Sequence, residues 1–85
     1  MKIIYSPKFA REYKKLPGKI KNIAEKQELI FRKDPFGPGL KTHKLKGALK
    51  GFLFFSIGYR YRVIFEFADK NIVYFHSVGN HDIYQ

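Results

Sequence analysis

The spacing of apolar positions changes several times along the chain, and each change predicts an element. Lys2–Tyr5 is short and β-rich and predicts an opening strand. Ser6-Pro7 is the pair expected at a helix start, with Ser as N-cap and Pro at the first helical position. Phe9, Tyr13 and Leu16 recur at i, i+4 and i+7 and draw one apolar stripe, with Lys8, Arg11, Lys14 and Lys15 largely off it. Pro17-Gly18 ends this helix. A second starts near Lys19, turns Ile20, Ile23, Ala24, Gln27, Ile30 and Phe31 inward, and stops before Asp34-Pro35.

Phe36-Gly37-Pro38-Gly39 predicts a loop, and 40–50 continues as a basic, irregular stretch. Three β segments follow. Phe52–Ile57 is nearly all apolar, as for a strand covered on both faces. Tyr59–Phe67 alternates, with Tyr59, Tyr61, Val63, Phe65 and Phe67 on one side and Arg60, Arg62, Ile64 and Glu66 on the other. Ile72–Val78 pairs back across Ala68-Asp69-Lys70-Asn71. With Asp69-Lys70 as the turn, Val63 faces His76, Arg62 faces Ser77 and Arg60 faces Gly79. That register puts His76 on the core side as a satisfied core histidine, and Arg60, Arg62, Ser77 and His81 on the opposite face. No repeat or linker divides the chain, so 1–85 is read as one domain.

Composition narrows the function classes. Zero cysteines exclude a disulfide framework, a thiolate zinc site and a cysteine nucleophile, and favour a reducing, cytoplasmic setting. The longest apolar run, Phe52–Phe55, is far short of the ~20 residues of a membrane helix. The first residues lack a signal-peptide pattern. The net charge of +10 is unevenly spread. Residues 1–50 carry 14 Lys and Arg against 4 Asp and Glu, whereas 51–85 carry three of each and ten of the 15 Phe and Tyr. A basic sleeve followed by an aromatic platform suits a polyanionic partner; a soluble lysine-rich surface without a ligand is the alternative.

Nucleotide-binding glycine loops are absent, carboxylates are too scattered for a paired-acid site, and His43, His76 and His81 share no metal-ligand spacing. Chemistry on an anion without metal fits better. Arg62, on the open side of a central strand, has the forked geometry for phosphate; a cross-strand ion pair with Glu66 or Asp69 is its structural alternative. Arg60 is a second phosphate contact or a structural residue. His81 sits in Gly79-Asn80-His81-Asp82-Ile83-Tyr84-Gln85, where an imidazole can take or give a proton or simply be solvated. Tyr84 is a proton donor, a stacking ring or an anchor for the chain end. His43 lies among Lys41, Lys44, Lys46 and Lys50, as acid, base or part of a phosphate-binding rim.

The order of elements, together with Leu40-Lys41-Thr42-His43-Lys44-Leu45-Lys46-Gly47, Tyr61-Arg62-Val63-Ile64-Phe65-Glu66 and Val78-Gly79-Asn80-His81-Asp82-Ile83-Tyr84, resembles the RelE/ParE superfamily of toxins from type II toxin–antitoxin modules. The resemblance implies an α+β domain, a small twisted antiparallel sheet with an N-terminal helical hairpin on one face. It also implies, for the RelE/YafQ branch, a ribosome-dependent endoribonuclease that cuts mRNA in the A site without cofactor or metal. The expected partners are a cognate acidic antitoxin and the ribosome with its mRNA. The family's strand arginine matches Arg62, the histidine of its H-x-L-x-G segment matches His43, and its C-terminal histidine and aromatic match His81 and Tyr84. Tyr84 follows His81 by three residues, against four in the YafQ pattern. RelE's two lysines on the preceding strand have no counterpart in Phe52-Leu53-Phe54-Phe55, which points to a histidine-using variant. A ParE-like gyrase inhibitor and a non-catalytic RNA-binding module are the competing readings.

Overall fold

The computed structural model describes residues 1–47 and 51–80. Its elements are β1 (Lys2–Tyr5), α1 (Pro7–Lys14), α2 (Gly18–Lys33), β2 (His43–Lys44), β3 (Leu53–Ile57), β4 (Tyr61–Asp69) and β5 (Ile72–Asn80). They build an α+β domain with a helical hairpin on one face of a five-stranded sheet ordered β1-β5-β4-β3-β2. The sheet is mixed. Strands β3 to β5 pair antiparallel as expected; β2, inside the stretch read as irregular, pairs antiparallel with β3, and β1 adds to β5 in parallel, Ile3 beside Val73 and Tyr5 beside Phe75.

Local chemistry sets the helix starts and stops. Ser6 Oγ accepts the Phe9 amide at 2.9 Å and donates to the His76 carbonyl at 2.8 Å, so one hydroxyl caps α1 and ties it to β5. Helix α2 ends at Asp34, before Pro35. Its inward face drives Phe31, fully buried, onto the rings of Phe55, Phe65 and Phe75 at centroid distances of 5.0, 4.9 and 5.3 Å. These edge-on and tilted ring contacts, one from each central strand, form the heart of the core.

The segment from Asp34 to Thr42 has no regular structure but is firmly held. Gln27 donates its side-chain amide to the carbonyls of Gly39 and Ser56 at 3.1 and 3.0 Å, Thr42 Oγ1 donates to the Pro35 carbonyl at 2.6 Å, and Leu40 is fully buried. This delivers the chain to β2, where His43 pairs with Phe54 and Lys44 with Leu53.

The β4–β5 register differs from the sequence expectation. The turn is Lys70-Asn71, and two irregularities follow it. Ala68 is an extra residue between the Phe67–Val73 and Asp69–Ile72 pairs, and His76 an extra residue between Phe65–Phe75 and Ile64–Ser77. Phe65 and Phe75 thereby point together into the core, and His76 is released to the other face. Arg62 stands opposite Gly79 rather than Ser77, and Tyr61 opposite Asn80. Among the described residues no helix is long and apolar enough to cross a membrane.

Candidate active site

Residues on the sheet face away from the helices form a continuous patch. Alternation on β4 turns Val63 and Phe65 into the core and Arg62, Ile64 and Glu66 outward. On β3 Phe54 and Ser56 share this face, and the Phe54 ring carries the Arg62 guanidinium at 4.6 Å from its centroid. The His43 ring approaches the same Phe54 at 5.7 Å. A fixed cation and an imidazole therefore flank one aromatic ring. Ile64, pairing with Phe54, is only 6% exposed although it lies on the outward face, so this face is well covered by its own side chains.

A second group on the same face escaped the sequence reading. His76 is not a core histidine: with Phe75 rather than Tyr74 opposite Phe65, alternation turns it outward, where Nε2 lies 2.8 Å from Glu66 Oε1 and the ring meets Phe52 edge-on at 4.9 Å and Tyr74 at 5.9 Å. Glu66 thus pairs with His76 instead of forming the cross-strand ion pair considered for Arg62. The pairing of Glu66 with Tyr74 across β4 and β5 brings the tyrosine beside them. Placing Glu66 outward needed only the period of β4; placing His76 required the period of β5, with Val73 and Phe75 inward, to override the register of an assumed Asp69-Lys70 turn.

Other predicted site residues are distributed unevenly. Lys41 and Lys46 are exposed on either side of β2, whereas Lys44 stands opposite the core residue Leu53, so alternation turns it to the face away from His43. Lys41 takes φ +54°, a left-handed conformation unusual for a lysine. Arg60 is exposed in the turn before β4 rather than on the strand beside Arg62, next to Tyr59, which is 98% exposed. Ser77, opposite Ile64, is engaged by α1 rather than by Arg62: its hydroxyl donates to Glu12 at 2.7 Å and receives Lys8 Nζ at 2.9 Å. Lys50, His81 and Tyr84 lie outside the described residues. Among the described residues no three His, Asp or Glu side chains gather in a metal-binding cluster.

The helix side holds a separate feature, a groove of about 630 Å³ lined chiefly by apolar groups, Phe9, Tyr13, Leu29 and Phe75 among them. Tyr5 borders it and donates its hydroxyl to Glu28 at 2.9 Å; burial and the Glu28 carboxylate together push the phenol up from its ordinary value.

The fold is that of the RelE-like toxins. YafQ from E. coli strain BL21(DE3) superposes with a TM-score of 0.78 at 20% identity, covering 94% of this chain and 92% of that one. A YoeB/ParE toxin from Agrobacterium tumefaciens gives 0.80 at 15% identity, over 95% of this chain and 99% of its own. The toxin–antitoxin complex RelBE2 from Mycobacterium tuberculosis gives 0.75 at 20% identity, over 94% and 96%. Neither the protein-family models nor the curated proteins searched contain a match to this sequence.

Proposed function

We propose that this chain is the toxin of a type II toxin–antitoxin system and acts as a ribosome-dependent endoribonuclease on mRNA in the A site. The observation that carries the proposal is the Arg62 guanidinium, stacked on Phe54 beside His43 on the open face of a RelE-like sheet. In the proposed reaction the 2′-oxygen attacks the adjacent phosphorus while a base takes its proton. The phosphorus–O5′ bond then breaks as an acid protonates the leaving oxygen, leaving a 2′,3′-cyclic phosphate and a 5′-hydroxyl. Arg62 is assigned the charge that builds on the phosphoryl oxygens. His43 and His81 are assigned the proton transfers, with Tyr84 as further donor or stacking ring. His81 follows directly in sequence on Asn80, which pairs beside Arg62's neighbour Tyr61. Arg60, Lys41, Lys44, Lys46 and Lys50 are assigned to the phosphates of the strand.

A protein partner follows from the charge and the groove. An apolar segment carrying acidic residues would fill the helix-side groove and offset the +10 charge, as expected of a cognate antitoxin.

Induction of the chain without its antitoxin, with transcript ends mapped by primer extension and gyrase supercoiling assayed in parallel, tests the reading. The expected result is new 5′-hydroxyl ends within translated mRNA and unaffected gyrase. Arg62→Ala should slow cutting roughly 10²–10³-fold and His81→Ala roughly 10²–10⁴-fold. Inhibited gyrase with intact transcripts would replace the reading with the ParE-like one. Salt-sensitive RNA binding without any cut, and with gyrase untouched, would replace it with a non-catalytic module.

A further inference from the structure

The reaction above makes no use of the His76–Glu66 pair. Phe52 precedes β3 and His76 belongs to β5, so their rings meet across β4, with Tyr74 completing the group. Glu66 and His76 are each about one-third exposed at the side chain, and Tyr74 is exposed. In a protein with 17 Lys and Arg, this carboxylate is held by an imidazole among rings; among the described residues His76 is its partner and no lysine or arginine pairs with it. One carboxylate oxygen is therefore left to accept from outside.

Rings that present apolar surface next to a hydrogen-bond acceptor match an unpaired nucleobase, which has a π-face to stack and an edge with donors. A negative charge there repels phosphate, whereas Arg62 attracts it, so base and backbone are sorted along the face. Arg62 stands opposite Gly79, three residues beyond His76 on β5, or about 10 Å at the rise of a strand. We infer that Phe52, Tyr74 and His76 form a stacking subsite for an RNA base next to the phosphate held at Arg62, and that Glu66 selects bases with an exocyclic amine. Adenine, cytosine and guanine present that donor. The one donor on the uracil edge is flanked by two carbonyl oxygens, which repel a carboxylate. The subsite deepens the nuclease reading and rests on it for its placement along the strand.

The test is fluorescence anisotropy of the full chain with labelled 2′-O-methyl hexamers of adenosine, cytidine or uridine at one fixed salt concentration. These strands lack the attacking hydroxyl, so binding is read without cleavage. The wild type should bind the adenosine and cytidine strands roughly tenfold more tightly than uridine. Glu66→Leu, which removes the acceptor, should bring all three within about twofold. Asp69→Asn, the same change of charge at the hairpin turn, should keep the preference. Tyr74→Leu should weaken all three roughly tenfold. Equal wild-type affinities, a preference that survives Glu66→Leu, or a Tyr74→Leu chain that binds as the wild type would each overturn the subsite. The wild-type ratio needs no variant to fold. Selective binding without cuts on the ribosome would remove the nuclease reading alone, and ribosomal cutting with equal binding would remove the subsite alone.

Discussion

Glu12 joins α1 to the part of β5 that β1 does not cover. Its Oε1 accepts from Ser77 Oγ at 2.7 Å and from the Val78 amide at 3.1 Å, while Lys8 lies 3.2 Å from Oε2. Burial works to raise the Glu12 pKa, but the hydrogen bonds from Ser77, Val78 and Lys8 outweigh it and hold the carboxyl below its ordinary value. A carboxyl held low stays charged in the fold after its unfolded counterpart has begun to take up a proton. Its stabilisation is therefore complete above the ordinary carboxylate value and is lost as pH falls through the lowered one. Glu12→Ala is expected to cost about 1–3 kcal/mol near neutrality by leaving the Val78 amide and Ser77 without their acceptor. In urea unfolding the gap from wild type should narrow as pH is lowered through the carboxylate range; a gap independent of pH would refute the assignment. Arg62 is legible from the alternation of β4 alone. Its support is not, because Phe54 sits in a run so uniformly apolar that neither face of β3 is marked, and the cation–π contact depends on which residue of that run points outward.

At the level of elements, the helices were legible and the sheet register was not, for one physical reason. A helix announces itself within its own residues, through the Ser6-Pro7 start, the Phe9–Tyr13 stripe and the Asp34-Pro35 stop. Strand pairing depends on a partner distant in sequence, and one inserted residue changes which side chains face the core. The bulge at His76 is such an insertion, and the parallel docking of β1 on β5 leaves no local trace. The two-residue β2 likewise lay hidden in a basic stretch, since only its pairing with β3 defines it. Ser6 offers a test of how closely α1 and β5 depend on one another. Ser6→Ala removes both the cap of α1 and the bond to the His76 carbonyl, and should cost about 1–2 kcal/mol in unfolding experiments. Ser6→Asp restores an acceptor for the Phe9 amide but no donor for His76, so it should recover only part of the loss. Full recovery would show that the strand contact contributes nothing.

Across the whole molecule, charge and aromatic surface are separated, and this separates affinity from selectivity. Residues 1–47 carry most of the excess cations, in the helices and around β2, while the ring-bearing strands β3 to β5 are close to neutral. Lysines around β2 are expected to bind phosphates whatever the sequence, because each neutralised phosphate releases a counterion. The stacked rings and Glu66 are expected to distinguish bases with little dependence on salt. On single strands the logarithm of affinity falls against the logarithm of salt by about 0.7 per phosphate neutralised. Replacing Lys41, Lys44 and Lys46 with serine should therefore reduce that slope by about 2 and weaken binding to adenosine, cytidine and uridine strands in equal proportion. The base preference should persist in this variant, and the salt slope should persist in Glu66→Leu. Anisotropy titrations over a range of salt measure both quantities on the same samples. If the lysine variant changed the base preference, or kept the full slope, the cations around β2 would not be acting on the backbone of the strand whose bases the open face reads.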